Sequence, residues 1–348
     1  DDQVVSGSTT NDPSLTLFFT STKQIADNTF TSSDITVVNG AISGFTKLNN
    51  TTYTGFFTPD ISIGSCRINI AAGVYQSLGA GNGNLAATEF VWNVDTTEPT
   101  MNITATKLNG TTPITSGSTT NDESVILTFT SNKAITTFGI DDITRTNGTF
   151  SGFTTISPTV YRVTLNRLGA GNPYNVSVAQ GAYTDAAGNS NNPSNLFNWT
   201  YDGINPEMII TVSDPSDNPI IHGGTTNQTV FTVAFISSEA TTNFTEGDIV
   251  LTNGTLSNFT VDSTTSYNAT FTATLSGECS ISVPAGAYTD AAGNNNIIPD
   301  PNTSSITFTS DNQPPSMTIT ANNPSNIVVT DGSTTNDAFI YLSFVSSK

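Results

Sequence analysis

Apolar and polar residues alternate along this chain in short bursts, and the bursts return at a long, nearly fixed interval. After Asn11, Asn121, Asn227 and Asn336, apolar side chains fall at offsets 4, 6 and 8: Leu15, Leu17, Phe19; Val125, Leu127, Phe129; Phe231, Val233, Phe235; and Ile340, Leu342, Phe344. A period of two predicts a β-strand with one buried face, and the Thr, Ser and other residues between them predict a solvated outer face. A further strand is predicted to open at Asp34-Ile35, Asp142-Ile143 and Asp248-Ile249, with Asn-Gly five residues on at 39, 147 and 253 reading as a hairpin turn. Phe45, Phe153 and Phe259, then Tyr53, Tyr161 and Tyr267, keep constant spacing from that Asp. Each copy next reaches Tyr75, Tyr183 or Tyr288 and a loop, then an aromatic strand: Phe90-Val91-Trp92, Phe197-Asn198-Trp199 or Ile306-Thr307-Phe308. No segment carries a capped 3.6-residue period.

The punctuation repeats as strictly as the strands. Ser6-Gly7-Ser8-Thr9-Thr10-Asn11-Asp12 returns as Ser116–Asp122, as Gly223-Gly224-Thr225-Thr226-Asn227 and as Gly332–Asp337, with the Asn residues 110, 106 and 109 positions apart. That period is a whole small domain rather than a solenoid unit. The linkers follow suit: Asp95, Asp202, Asp311; Pro99, Pro206, Pro315; and Met101, Met208, Met317, the only three methionines, each opening a Met-x-Ile strand. The expected organisation is all-β, with β-sandwich repeats of seven or so antiparallel strands. The boundaries read 1–97 (repeat 1, lacking its first strand), 98–204 (repeat 2), 205–313 (repeat 3) and 314–348 (a partial repeat 4). Pro in each short linker restricts the hinge, so a semi-rigid rod is expected.

Charge narrows the function. Charged residues are 11% of the 348, yet the net charge is -19, from 28 carboxylates against 9 bases. That field repels phosphate backbones and anionic lipid, which argues against nucleic acid and membrane surface as partners. No apolar run approaches a membrane span. The single histidine, His222, lies beside the third Gly-Gly turn and reads as polar surface, which leaves no repeated histidine triad or zinc site. The carboxylates recur at turns and strand openings, with no unique pair and no nucleophile motif, so no enzyme is expected.

Tyr183-Thr184-Asp185-Ala186-Ala187-Gly188-Asn189, Tyr288-Thr289-Asp290-Ala291-Ala292-Gly293-Asn294 and the junction Asp95-Thr96-Thr97-Glu98-Pro99-Thr100 resemble the bacterial-type immunoglobulin-like repeats of large extracellular adhesins and filament proteins. The resemblance covers essentially the whole chain. It implies tandem immunoglobulin-like sandwiches in an extracellular, cell-surface structural or adhesive protein, and some relatives hold calcium at domain junctions.

Hard oxygen donors suit calcium. Asp185, Asn189 and Asp202 offer them near one domain end, and Asp290, Asn294 and Asp311 do so one repeat later. The plainer reading of Asp-Ala-Ala-Gly-Asn is an Asx turn with Gly at positive φ. Repeat 1 departs from the pattern, with Gln76, Ser77 and Leu78 opening its loop. Sequons stand at Asn49, Asn50, Asn102, Asn109, Asn147, Asn175, Asn198, Asn227, Asn243, Asn253, Asn258, Asn268 and Asn302, acceptors for N-glycans in a glycosylating host, with Asn147 and Asn253 read as exposed hairpin tips. Cys66 and Cys279 hold equivalent positions in alternating runs, so each is a small buried hydrophobe or one half of a cross-chain disulfide.

The ends complement one another. Repeat 1 lacks the Met-x-Ile strand, and residues 314–348 contain it, together with the Ile340, Leu342, Phe344 strand. A missing strand exposes unpaired backbone and half a core. Head-to-tail self-assembly is therefore expected, with Met317, Ile319, Ile340, Leu342 and Phe344 docking on repeat 1 of the next copy by strand addition into a filament. An excerpt of a longer chain, serving as the stalk of a surface adhesin with junctional calcium, is the other reading.

Overall fold

In repeats 2 and 3 each alternating burst is a strand whose apolar set points inward, whereas the Leu342 and Phe344 side chains of the last burst are exposed. The computed structural model describes residues 3–169, 171–298, 300 and 303–348. The chain divides into two compact units, Asp1–Asp202 and Gly203–Lys348. Repeat 2, in the first unit, is a complete sandwich. One sheet runs in the order Thr149–Ser157, Val160–Asn166, Ser124–Ser131, Met101–Lys107, Pro113–Ile114. The other runs Thr119–Thr120, Phe197–Tyr201, Tyr174–Val178, Ile143–Arg145. Pairing is antiparallel except between Thr119–Thr120 and Phe197–Tyr201. One apolar cluster, which includes Leu127, Phe129, Tyr174, Val176 and Trp199, draws on both sheets.

Repeat 3, in the second unit, has the same order, with Met208–Ser213 beside Val230–Ser237. Separate clusters form the cores of repeats 1 and 3. Among the described residues there is no α-helix, only the 3-10 turns Ser32–Asp34, Ile140–Asp142 and Glu246–Asp248, and no helix is long and apolar enough to cross a membrane.

Those short turns hold an aromatic residue that the strand period passes over. The carboxylates of Asp34, Asp142 and Asp248 accept from the amides of Thr31, Gly139 and Thr245 at 2.7 Å each. The preceding Phe30, Phe138 and Phe244 are thereby turned into the core. Each meets Tyr53, Tyr161 or Tyr267 edge-on, with ring centroids 5.1, 5.1 and 4.9 Å apart. The same tyrosines stack on Phe45, Phe153 and Phe259. Such pairs add about 0.5–1.5 kcal/mol each beyond their buried area.

Cys66 and Cys279 are both free and have no exposed surface. Burial pushes both thiols up. A sulfur enclosed in its own sandwich reaches no neighbouring chain, so the cross-chain disulfide is set aside and the small-hydrophobe reading holds.

The Asn-Gly pairs are corners, not hairpins. Ile35–Val38 pairs with Ile63–Ile70, while Gly40–Asn49 pairs with Thr52–Pro59 in the other sheet. The strands flanking Asn147-Gly148 and Asn253-Gly254 part in the same way. Asn39 at φ 61° and Asn253 at φ 54° supply left-handed backbone, which a corner between layers uses as readily as a tight turn. Remote partner strands, not the dipeptide, decide which it becomes.

Gly40 and Gly254 lie against Phe57 and Phe271, where an added Cβ would stand 2.2 and 2.0 Å from ring carbons. Gly254→Ala is expected to destabilise repeat 3 by roughly 1–3 kcal/mol through overpacking, read as a lowered midpoint in thermal unfolding. An unchanged midpoint would show that the corner does not clamp the ring.

Candidate functional site

Repeat 1 departs from its siblings at one edge. Its first sheet ends at Leu15–Thr20, in the order Leu15–Thr20, Thr52–Pro59, Gly40–Asn49. In repeats 2 and 3 the equivalent strand is covered on that side by Met101–Lys107 or Met208–Ser213. Leu127 and Phe129 are fully enclosed there, whereas their counterparts Leu17 and Phe19 are only half-buried. The uncovered side opens a groove of about 940 Å³, lined by Leu17, Phe19, Ile68, Ile70, Tyr75 and Phe90 among others.

Residues 314–348 contain a further Met-x-Ile strand. Met317–Asn322 pairs with Tyr341–Ser346 on one edge and with the two-residue Val328–Val329 on the other. Met317 and Ile319 are 58% and 60% exposed, against 4% and 2% for Met101 and Ile103. Leu342 and Phe344 are exposed too, and Ile340, just outside the strand, is 40% exposed. The register is preserved: Ile103 faces Phe129, Ile210 faces Phe235 and Ile319 faces Phe344.

The joint between repeats 1 and 2 gathers charge. Lys133 Nζ lies 2.8 Å from both carboxylate oxygens of Asp95 and 2.9 Å from Asp185 Oδ2, and it donates to the Thr97 carbonyl. Asp185 is buried in the Asp-Ala-Ala-Gly-Asn loop, where its Oδ1 accepts the Ala187 and Asn189 amides at 3.0 and 2.9 Å. Asn189 Nδ2 reaches the Asp95 carbonyl at 2.7 Å, and the Asn11 amide of repeat 1 donates to the Ala187 carbonyl at 3.2 Å. The loop is therefore a receptor for the preceding linker, organised as the Asx turn its sequence allows.

The expected grouping of Asp185 and Asn189 with Asp202 is corrected. The carboxylate that meets Asp185 across the lysine is Asp95, from the linker before the repeat. Asp202 instead donates its amide to the Thr120 carbonyl. Sequence proximity favoured the following linker, but antiparallel sheets return the loop to the end where the chain enters.

In repeat 3, Asp290 accepts from the Gly293 and Asn294 amides at 2.8 Å each and from Asn294 Nδ2 at 2.9 Å. Asp311 turns to Lys348 and Ser276. Lys133 carried no motif of its own. Its recurrence four residues after the strand phenylalanine, as Lys23 after Phe19 and Lys348 after Phe344, was the available signal.

Asn49, Asn50, Asn102, Asn109, Asn227, Asn243 and Asn258 are exposed, while Asn175, Asn198 and Asn268 are half-buried. Asn302 lies outside the described residues. Asn147 and Asn253 are not exposed tips: both are half-buried corners whose Nδ2 atoms donate to the Pro173 and Leu275 carbonyls. His222 is exposed, and its Nδ1 accepts the Thr307 amide at 3.3 Å.

Burial raises the Asp95 and Asp185 carboxyls, but bonds from Lys133, Thr97 and Asn189 outweigh it and leave both below the ordinary carboxylate range. Burial lowers the Lys133 ammonium, but the two carboxylates outweigh it and leave it above ordinary lysine. Depressed carboxylates stabilise the fold above their unfolded value of about 3.9, and that gain is lost as pH falls through the folded values. The raised lysine stabilises below about 10.4, and its gain is lost at higher pH. Lys133→Met is expected to cost about 1–3 kcal/mol near neutrality. Melting curves of variant and wild type should converge below about pH 4; a gap independent of pH would show that Lys133 acts through packing alone.

A model of the bacterial Ig-like domain matches residues 95–201 and 202–309, more than half of the chain. No curated protein matches it in sequence. Among solved structures, the Escherichia coli adhesin FdeC is similar at 12% identity, over 88% of this chain and 94% of that one, with a TM-score of 0.39. Invasin, a bacterial integrin-binding protein, is similar at 16% identity, over 92% of this chain and 60% of that one, with a TM-score of 0.31. Two consecutive matched repeats, each with the same two-sheet order, show that the chain belongs to the bacterial Ig-like domain family.

Proposed function

We propose that the chain is a structural segment of an extracellular, cell-surface protein, and that copies join head to tail into a filament by strand donation. Bacterial Ig-like domains are structural and adhesive modules, not enzymes. The observation that carries the reading is reciprocity: the groove of repeat 1 lacks a Met-x-Ile strand, and Met317–Asn322 is such a strand with its apolar side exposed. In the register of repeat 2, Ile319 would face Phe19 and Ala321 would face Leu17 of a second copy.

The exchange trades like for like in backbone bonds, because Tyr341–Ser346 and Leu15–Thr20 carry the same alternation. The gain comes from burying Met317 and Ile319 and covering Leu17 and Phe19, roughly 1.5–3 kcal/mol for each side chain taken fully from water. Association costs offset part of it, so assembly depends on concentration.

A second reading, the stalk of a large surface adhesin stiffened by calcium, is favoured by one substitution. Glu239 stands where Lys133 stands in repeat 2, and its carboxylate lies within 4.8 Å of that of Asp290. Oxygen donors at that position suit a divalent cation, whereas the Asp95–Asp185 set already holds an ammonium. In a glycosylating host, N-glycans would fall first on the exposed sequons.

Sedimentation of the full chain over a range of concentrations is expected to show a ladder of oligomers, with Ile319→Asp staying monomeric and its circular dichroism unchanged. A wild type that remains monomeric throughout overturns the strand-donation reading. Calcium is expected to raise the unfolding temperature of wild type and not of Glu239→Lys; equal responses would remove calcium from repeat 3.

A further inference from the structure

We infer that Lys23 is the receiving cation of the head-to-tail joint, closing on Asp311 and the Gln313 carbonyl of a second copy as Lys133 closes on Asp95 and the Thr97 carbonyl within the chain. This rests on the strand-donation reading and adds the residue that selects the donor. Three lysines follow the strand phenylalanine by four residues and sit in the same local turn. The amides of Lys23, Lys133 and Lys348 donate to Ser21, Ser131 and Ser346 Oγ at 3.3, 3.2 and 3.3 Å.

Two of the three are engaged in the same way. Lys133 takes the Asp95 carboxylate and the Thr97 carbonyl, and Lys348 takes the Asp311 carboxylate and the Gln313 carbonyl. Asp95 precedes Met101 by six residues, as Asp311 precedes Met317. The carboxylate therefore travels with the Met-x-Ile strand, and the ammonium travels with the strand that receives it. Lys23 is exposed and, alone among the three, has no ion pair among the described residues. Seating Met317–Asn322 against Leu15–Thr20 in the shared register carries Asp311 to Lys23.

A second observation marks the same place. Ser77 is bridged to Ile25 as Asp185 is bridged to Ile135, two residues past the lysine in each repeat. Ser77 Oγ is buried without a hydrogen-bond partner among the described residues. It stands ready to complete the cradle that Asp185 completes in repeat 2. With a hydroxyl in place of a carboxylate, the joint between copies holds one charge fewer than the joint within the chain, so it opens more readily.

The test uses the full chain and its dissociation constant from sedimentation. Lys23→Glu is expected to weaken assembly by roughly tenfold at low salt, with the gap narrowing as ionic strength rises. Lys23→Glu with Asp311→Lys in one chain should recover the wild-type constant, as should an equimolar mixture of the two single variants. Asp311→Lys also breaks the Lys348 contact, so recovery is read against that single variant. If wild type assembles and Lys23→Glu assembles equally well, the Lys23 assignment falls and strand donation stands. If wild type does not assemble at all, both fall.

Discussion

A sandwich repeat closes when the strand opened by methionine lies along the strand that follows the Ser/Gly-Thr-Thr-Asn turn. That single ladder pairs the backbone of both strands, and it puts Ile103 and Ala105 beside Phe129 and Leu127 in repeat 2, where all four are enclosed. Unpaired backbone and uncovered apolar surface are both costly in water, so the ladder is a requirement for a complete repeat rather than an addition to it. The aromatic triad, the corner at Asn-Gly and the closing strand form in repeat 1 as well, so the ladder covers the core rather than arranging it. Where the ladder is missing, in repeat 1, the same residues leave a groove.

The joint between repeats 1 and 2 applies ordinary electrostatics to a sequence with few bases. One ammonium answers two carboxylates and a carbonyl, mostly shielded from solvent, and the local cluster keeps a net negative charge. The geometry is set by backbone elements: the Asx turn fixes Asp185, the linker fixes Asp95, and the Ser131 turn aims Lys133. Repeat 3 carries Glu239 at the position of Lys133, so the charge at that position is reversed.

The period-two pattern made the strands legible, because burial on one face of a pleated ribbon imposes it directly. It also placed Cys66 and Cys279 in the core, and it located the Met-x-Ile strands. Phe30, Phe138 and Phe244 escaped it, because a 3-10 turn rather than a strand delivers them to the core. The Asn-Gly corners were misread as hairpins, since positive φ is a local property and the choice of partner strand is not. Lys133 escaped for the same reason: its partners are 38 and 52 residues away.

The sequence by itself determined the repeat, its strands and the inward residues, because each of these follows from local alternation and turn chemistry repeated at one interval. Only the tertiary structure decided which sheet each strand joins and which linker carboxylate meets which loop. Those depend on contacts between residues far apart in the chain, where neither periodicity nor a short motif carries information about the partner.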